Sequence, residues 1–278
     1  MKNCISNIRT QLQDTYSESE IKELTYIILE FVTKKPLSYI LANKNTNLSA
    51  NEYTQVNDII RRLKNNEPYQ YIIGVQEFMG MSFKVTPDVL IPRDETAELV
   101  NLIIHNHSNT APSIIDIGTG SGCIAIALKK QMSQSSVSAL DISSKALEIA
   151  KENAQNNEVS LNFFCESILK ESLDLHQKFD LIVSNPPYVR HCEKVDMHNR
   201  VLNFEPHLAL FVDDDNPLIF YQAIAQFAEK HLNKNGYIYL EINEYLGKET
   251  AKIYQNLGYH TKIIKDFYNK NRMIIAHK

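Results

Sequence analysis

Apolar residues recur at helical spacing from the start of the chain to residue 73. After the pattern Ser17-x-x-Glu20 come Ile21, Leu24, Ile28 and Phe31, and after Ser49-x-x-Glu52 come Tyr53, Val56, Ile59, Ile60 and Leu63. Each pattern is a capping box. The serine oxygen meets an otherwise unpaired backbone N–H, and the glutamate reaches back to the serine N–H. An apolar stripe on a helix needs a second helix to cover it, so residues 1–73 are expected to form a small helical bundle. Lys34-Lys35-Pro36 marks a helix end, because proline disfavours helical geometry in the residue before it.

At Gly74 the pattern changes. VQEFMGMSFKV reads as two short strands turned about Met79-Gly80, and the proline-punctuated TPDVLIPR follows. Residues 74–92 are therefore expected to be a β-hairpin and linker between the bundle and a larger domain over 93–278. That domain opens with a helix from Glu95 to His105. Strand-like SIIDI, VSALDI, LNFFC, FDLIVSN and YIYLEI then alternate with helical CIAIALKKQ, SKALEIAKENAQ, PLIFYQAIAQFAEKHL and YLGKETAKIYQNL, and the runs HTKIIKDF and RMIIAHK follow. The alternation predicts an α/β fold, a parallel sheet with helices on both faces.

Composition narrows the classes. With 278 residues, 44% hydrophobic and 22% charged, the chain can bury a large core, and its length suits a main domain with a smaller companion. A net charge of -4 argues against affinity built on neutralising phosphates. Cys4, Cys123, Cys165 and Cys192 show neither a CxxC pair nor metal-ligand spacing, so reduced, mostly buried thiols are expected. No stretch reaches the about 18 apolar residues of a membrane span, and the first 20 residues hold no apolar core of a signal peptide. A cytoplasmic monomer with no membrane contact is expected.

Two motifs carry chemistry. Strand Ile114–Ile117 runs into Gly118-Thr119-Gly120-Ser121-Gly122 and then a helix, which puts the turn at the carboxyl end of a sheet strand, where open α/β sheets bind ligands. Alternate glycines let the backbone turn sharply and approach a ligand closely. Asp141 ends the next strand, where a carboxylate can accept from both hydroxyls of a ribose. The plainer alternative is a tight turn with Asp141 as a helix cap. The complete order of strand, turn, helix, strand and acid favours a nucleoside cofactor, and the spacing leans toward S-adenosylmethionine over NAD.

Strand Phe179–Ser184 delivers Asn185-Pro186-Pro187-Tyr188 to the same edge. Two prolines fix φ and donate no hydrogen bonds, so the carbonyls of Asn185 and Pro186 are held in a stiff turn with free acceptor capacity. Together with the Asn185 side-chain oxygen they match the two hydrogens of an NH₂ group. An amide or aromatic amine is a poor nucleophile because its lone pair is delocalised. Accepting both hydrogens raises electron density on nitrogen and aims it at an electrophilic methyl group. Tyr188 is expected to stack on the planar group. Read as backbone chemistry alone, the segment is a rigid turn that ends a buried strand, with Asn185 as a local capping residue.

With these motifs in place the chain resembles the Rossmann-like class I methyltransferases that carry Asn-Pro-Pro-Tyr, and more closely the HemK/PrmC family of peptide chain release factor glutamine N5-methyltransferases. The resemblance extends over Glu67–Gly74, Glu77–Gly80, Phe83–Arg93, Asp116–Gly122, Asn185–Tyr188 and Phe204-Glu205-Pro206 with Ala209-Leu210. It implies that Gly118, Thr119, Gly120, Ser121 and Gly122 line the methionine part of S-adenosyl-L-methionine, that Asp141 holds the ribose, and that Ser167 lies by the adenine. It implies too that Asn185, Pro186, Pro187 and Tyr188 hold a glutamine amide, with Asn185 also next to the cofactor, and that the amino-terminal bundle docks the release factor. Asp94, Glu166-Ser167 and Asn203 depart from the residues common in that family at their positions.

His191, Cys192, Asp196 and His198 follow the motif without ligand spacing, so no metal is expected and a surface lid is. Asp213-Asp214-Asp215 reads as an acidic loop capping the helix from Pro217. Glu205 reads equally as an active-site anchor or as a structural ion-pair partner. Two other functions stay open: a DNA or RNA amino-methyltransferase acting on a flipped adenine N6, and a non-catalytic methyltransferase-like binding module. No nucleic acid partner is expected, since no basic arm is present.

Overall fold

Both capping boxes form. In a computed structural model describing residues 1–278, the Ser17 and Ser49 side chains accept from the backbone N–H of Glu20 and Glu52, and both glutamates accept from the serine N–H in return. They start α2 (Glu18–Thr33) and α4 (Ala50–Lys64), which pack with α1 (Lys2–Leu12), while α3 (Leu37–Ala42) and α5 (Tyr69–Ile73) are short. Lys34 ends α2 in the left-handed conformation, just before Pro36. Ile8, Leu12, Ile28, Leu29, Ile40, Val56 and Leu63 form the core of this unit. The unit comprises Met1–Gly74 and also His198–Phe204. Arg200, from that later segment, lays its guanidinium 4.2 Å over the Tyr16 ring.

The second unit, Val75–Met197 with Glu205–Lys278, begins with β1 (Val75–Phe78) and β2 (Met81–Lys84). They are antiparallel, and Met79 and Gly80 between them both have positive φ, as a two-residue turn matched to strand twist requires. The chain continues through α6 (Asp94–His107), β3 (Ser113–Ile117), α7 (Cys123–Gln131), β4 (Ser136–Asp141), α8 (Ser144–Asn156), β5 (Asn162–Cys165), β6 (Phe179–Ser184), β7 (Val189–Arg190) and α9 (Asn199–Phe204), the last belonging to the helical unit. Then come β8 (Phe211–Val212), α10 (Ile219–His231), β9 (Leu232–Glu241), α11 (Gly247–Asn256), β10 (His260–Lys265) and β11 (Asn271–His277).

Seven strands form one sheet in the order β10-β11-β9-β6-β3-β4-β5. Alternate residues of a strand face opposite sides. Ile114, Leu181 and Val183 pack beneath α6 and α7, whereas Ile115, Ile117 and Ile182 pack beneath α10 and α11. The expectation of a wholly parallel sheet is corrected at one end. β5, β4, β3, β6 and β9 are parallel, but β11 is antiparallel to both β9 and β10. No helix separates the last two strands, so they close as a hairpin and the sheet is mixed.

Two smaller expectations also change. The acids at 213–215 do not cap α10, whose first turn has no acid and no side-chain cap. Asp214 instead accepts from the Cys192 N–H. Of the four free thiols, Cys4 and Cys123 are buried but Cys165 and Cys192 are exposed.

Candidate active site

Strand order reverses at β3: β4 and β5 follow on one side, while β6 lies on the other. The glycine turn leaves β3 and Asn185 leaves β6, so the two motifs flank this switch point at the carboxyl edge, where open sheets form a crevice. Register aligns them closely. Ile117 pairs with both Leu140 and Ser184, and Ser184 pairs with Leu240. One position further along lies a row of Asp141, Gly118, Asn185 and Glu241. The Ser184 hydroxyl donates to Ile117 O at 2.6 Å and ties the ends of β6 and β3 together.

A cleft of about 370 Å³ opens on this row. Its walls include Gly118 to Ser121, Asp141, Ser167, Asn185, Pro186 and Pro187, together with Thr96 and the start of α7. The glycines divide their work. A Cβ built at Gly118 or Gly120 meets no atom within 4 Å, so the turn shows bare backbone to open space. One at Gly122 would stand 3.0 Å from Ile126 Cδ1 and 3.2 Å from Ala150 Cβ, which makes the third glycine a packing residue between α7 and α8 that does not line the cleft.

The Asp141 carboxylate is oriented by backbone. Gly120 N–H donates to Oδ2 at 2.8 Å and Ser143 N–H to Oδ1 at 2.9 Å. Burial raises its pKa, and those N–H groups pull it partly back. Neither bond exhausts an oxygen's lone pairs, so the carboxylate can still accept two hydroxyls. Bare backbone and a paired acceptor thus fit a nucleoside cofactor. Asp116 lies deeper and is fully buried. Thr119 donates to its Oδ2 at 2.7 Å, and burial pushes the carboxyl up to about 7, with Asp141 adding to the shift.

On the other wall, the Asn185 Nδ2 donates to Thr96 Oγ1 at 3.1 Å, and Thr96 donates to Glu241 Oε2 at 2.7 Å. Tyr188 is the one motif member the structure does not bring to the wall. Its hydroxyl turns inward and donates to Glu241 Oε1 at 2.9 Å, and burial, followed by the Glu241 charge, raises its pKa well above that of an ordinary tyrosine. Asn243 Nδ2 holds the Tyr188 carbonyl at 3.1 Å. Glu205 is buried, pairs with Arg93 and accepts from the Ile91 N–H at 3.3 Å, which pins the chain after the motif to the Ile91-Pro92-Arg93 wall.

No three His, Cys, Asp or Glu side chains converge on a metal-sized site. His191 stacks on Phe211, and His198 belongs to the helical unit. A second cavity of about 390 Å³, among Asn106, His107, Tyr237 and His277, has neither a carboxylate nor a glycine turn in its walls. Sequence reasoning missed Thr96 and Glu241. Glu241 carried a signal, an acid closing an apolar strand just as Asp141 does. Thr96 carried none.

Residues 3–74 match the PrmC N-terminal domain family and residues 94–205 the Methyltransferase small domain family. The chain is 44% identical to a release factor glutamine methyltransferase of Flavobacterium psychrophilum, over 97% of this chain and 98% of that protein. It is 40% identical to that of Bacteroides thetaiotaomicron over 100% of both. The chain belongs to the release factor glutamine methyltransferase family. Membership identifies S-adenosyl-L-methionine as the methyl donor. Among solved structures, a methyltransferase from Pyrococcus furiosus superposes with a TM-score of 0.54 at 19% identity, covering 78% of this chain and 96% of that one, a likeness of fold alone.

Proposed function

We propose that this family member transfers a methyl group to the side-chain amide nitrogen, N5, of the glutamine in the Gly-Gly-Gln motif of peptide chain release factors. The observation that carries this reading is Asn185. Its amino end is tied to Thr96 and its oxygen is left for the cleft, beside the stiff Pro186-Pro187 turn and opposite the glycine turn. Asn185 Oδ1 and a motif carbonyl take the two amide hydrogens and aim the nitrogen, so catalysis is positioning and preorganised dipoles. When bound, S-adenosyl-L-methionine supplies an electrophilic methyl whose S–C bond breaks as the N–C bond forms. The alkylated nitrogen then releases one proton to water, and no strong base is needed.

In this reading Asp141 holds the ribose, Gly118 and Gly120 let the backbone approach the methionine part, Ser167 stands by the adenine and Tyr188 braces the motif from below. The helical unit docks the body of the release factor. Incubation of purified enzyme with labelled cofactor and, separately, release factor or nucleic acid tests the reading. Mass spectrometry should place one methyl on the Gly-Gly-Gln glutamine, faster in the intact factor than in a short peptide of the same sequence. Label appearing in nucleic acid and not in the factor would replace it with the amino-methyltransferase reading.

A further inference from the structure

A side-chain amide has a donor end and an acceptor end of nearly equal shape, and nothing in Asn185 itself decides which end faces the cleft. The neighbouring groups decide it. Thr96 Oγ1 carries a single proton, and its partner Glu241 Oε2, at 2.7 Å, belongs to an acceptor-only carboxylate. With that proton committed, Thr96 can only accept, and it accepts from Asn185 Nδ2 at 3.1 Å. The other oxygen of Glu241 takes the Tyr188 hydroxyl at 2.9 Å. One buried carboxylate thus braces Tyr188 directly and Asn185 through Thr96. Thr96 and Glu241 are themselves 2% exposed.

We propose that Thr96, directed by Glu241, is a positioning residue that sets the hydrogen-bond polarity of Asn185, and thereby makes the pocket select a primary amide over a carboxylate. This rests on the reading that Asn185 accepts from the substrate amide. With Oδ1 outward, an NH₂ group meets an acceptor and a carboxylate meets repulsion. With Nδ2 outward, the preference inverts. A glutamate carboxylate has nearly the shape of a glutamine amide, so shape alone cannot separate them, whereas a fixed acceptor can. A carboxylate at 241 is costly to bury, and burial raises its pKa. The hydrogen bonds from Thr96 and Tyr188 and the Arg272 charge offset part of that cost.

The test is Thr96→Val, nearly isosteric but without the hydroxyl, with Thr96→Ser as the variant that restores it. If Thr96→Val folds poorly, Thr96→Ala carries the same prediction. Two quantities are measured: the single-turnover rate of methyl transfer to the release factor, and the ratio of affinities for that factor and for its Gln→Glu form in the Gly-Gly-Gln motif. The expected result for Thr96→Val is a rate lower by roughly 10- to 100-fold and a Gln-over-Glu preference reduced about tenfold, with Thr96→Ser near wild type in both. An unchanged preference, with or without a slower rate, would overturn the proposal, because a merely structural tie would leave selectivity alone. Asn185→Ala measured in parallel separates the two failures. Near-normal transfer by that variant removes the acceptor reading itself, whereas impaired transfer with an unchanged preference in Thr96→Val removes only the polarity relay.

Discussion

On the cofactor wall, Asp141 is oriented by backbone N–H groups 2 and 21 residues away, while on the acceptor wall Asn185 is oriented by Thr96, 89 residues earlier, and Thr96 by Glu241, 145 residues beyond it. Backbone groups hold one wall and a buried chain of side chains holds the other. In the proposed function the difference follows from what each wall recognises. A nucleoside offers hydroxyls that a carboxylate accepts in either of several orientations, so a local turn suffices. An amide nitrogen needs acceptors of a fixed sense, and side-chain polarity is fixed only by further partners.

If the walls are this distinct, substitutions should affect donor and acceptor separately. The largest effect is expected from Asn185→Ala, which removes an acceptor present at the moment of transfer. Single-turnover methylation should fall roughly 10²- to 10³-fold, with cofactor affinity by calorimetry little changed. A comparable loss of cofactor affinity would mean that the walls are not independent. Next comes Asp141→Ala, which should weaken cofactor binding by about 1.5–3 kcal/mol and leave binding of the release factor alone. Unchanged cofactor affinity in the folded variant would remove the ribose assignment.

The glycines sharpen the comparison within one wall. Gly122→Ala places a Cβ against α7 and α8 at positive φ and should chiefly lower the melting temperature, by a loss on the order of 1–2 kcal/mol. Gly120→Ala carries the same positive-φ strain but meets open space, so it should destabilise the fold less and weaken cofactor binding more. Reversal of that order, read by thermal melts and calorimetry, would exchange their roles. A change of a different kind, in pH dependence, concerns Asp116. Its folded carboxyl keeps a proton up to about 7, whereas an unfolded aspartate releases it near about 3.9. Between those values the folded state binds more protons, so this group makes stability fall as pH rises across the window, with the penalty complete above it. Asp116→Asn should flatten that slope in urea midpoints measured from pH 4.5 to 8, and an identical slope would show that another group carries it.

Much of this is legible in the amino-acid sequence. Capping boxes, apolar periodicity and turn residues act within a few positions of one another, which is why both box helices, the Met79-Gly80 turn and the strand-turn-helix around Gly118 appear where the pattern puts them. Asp141 and Asn185 were legible for the same reason, since each ends an apolar strand in a motif complete by itself. What the tertiary structure decided is register and company. Strand order brought Asn185 between Gly118 and Glu241, turned Tyr188 inward to that carboxylate, drew residues 198–204 into the helical unit, and set the last two strands antiparallel. Local spacing specifies which hydrogen bonds a segment can make with itself. The pairing of segments 50 to 150 residues apart follows from which buried faces fit together, and the company of Asn185, Thr96 and Glu241 was settled at that level.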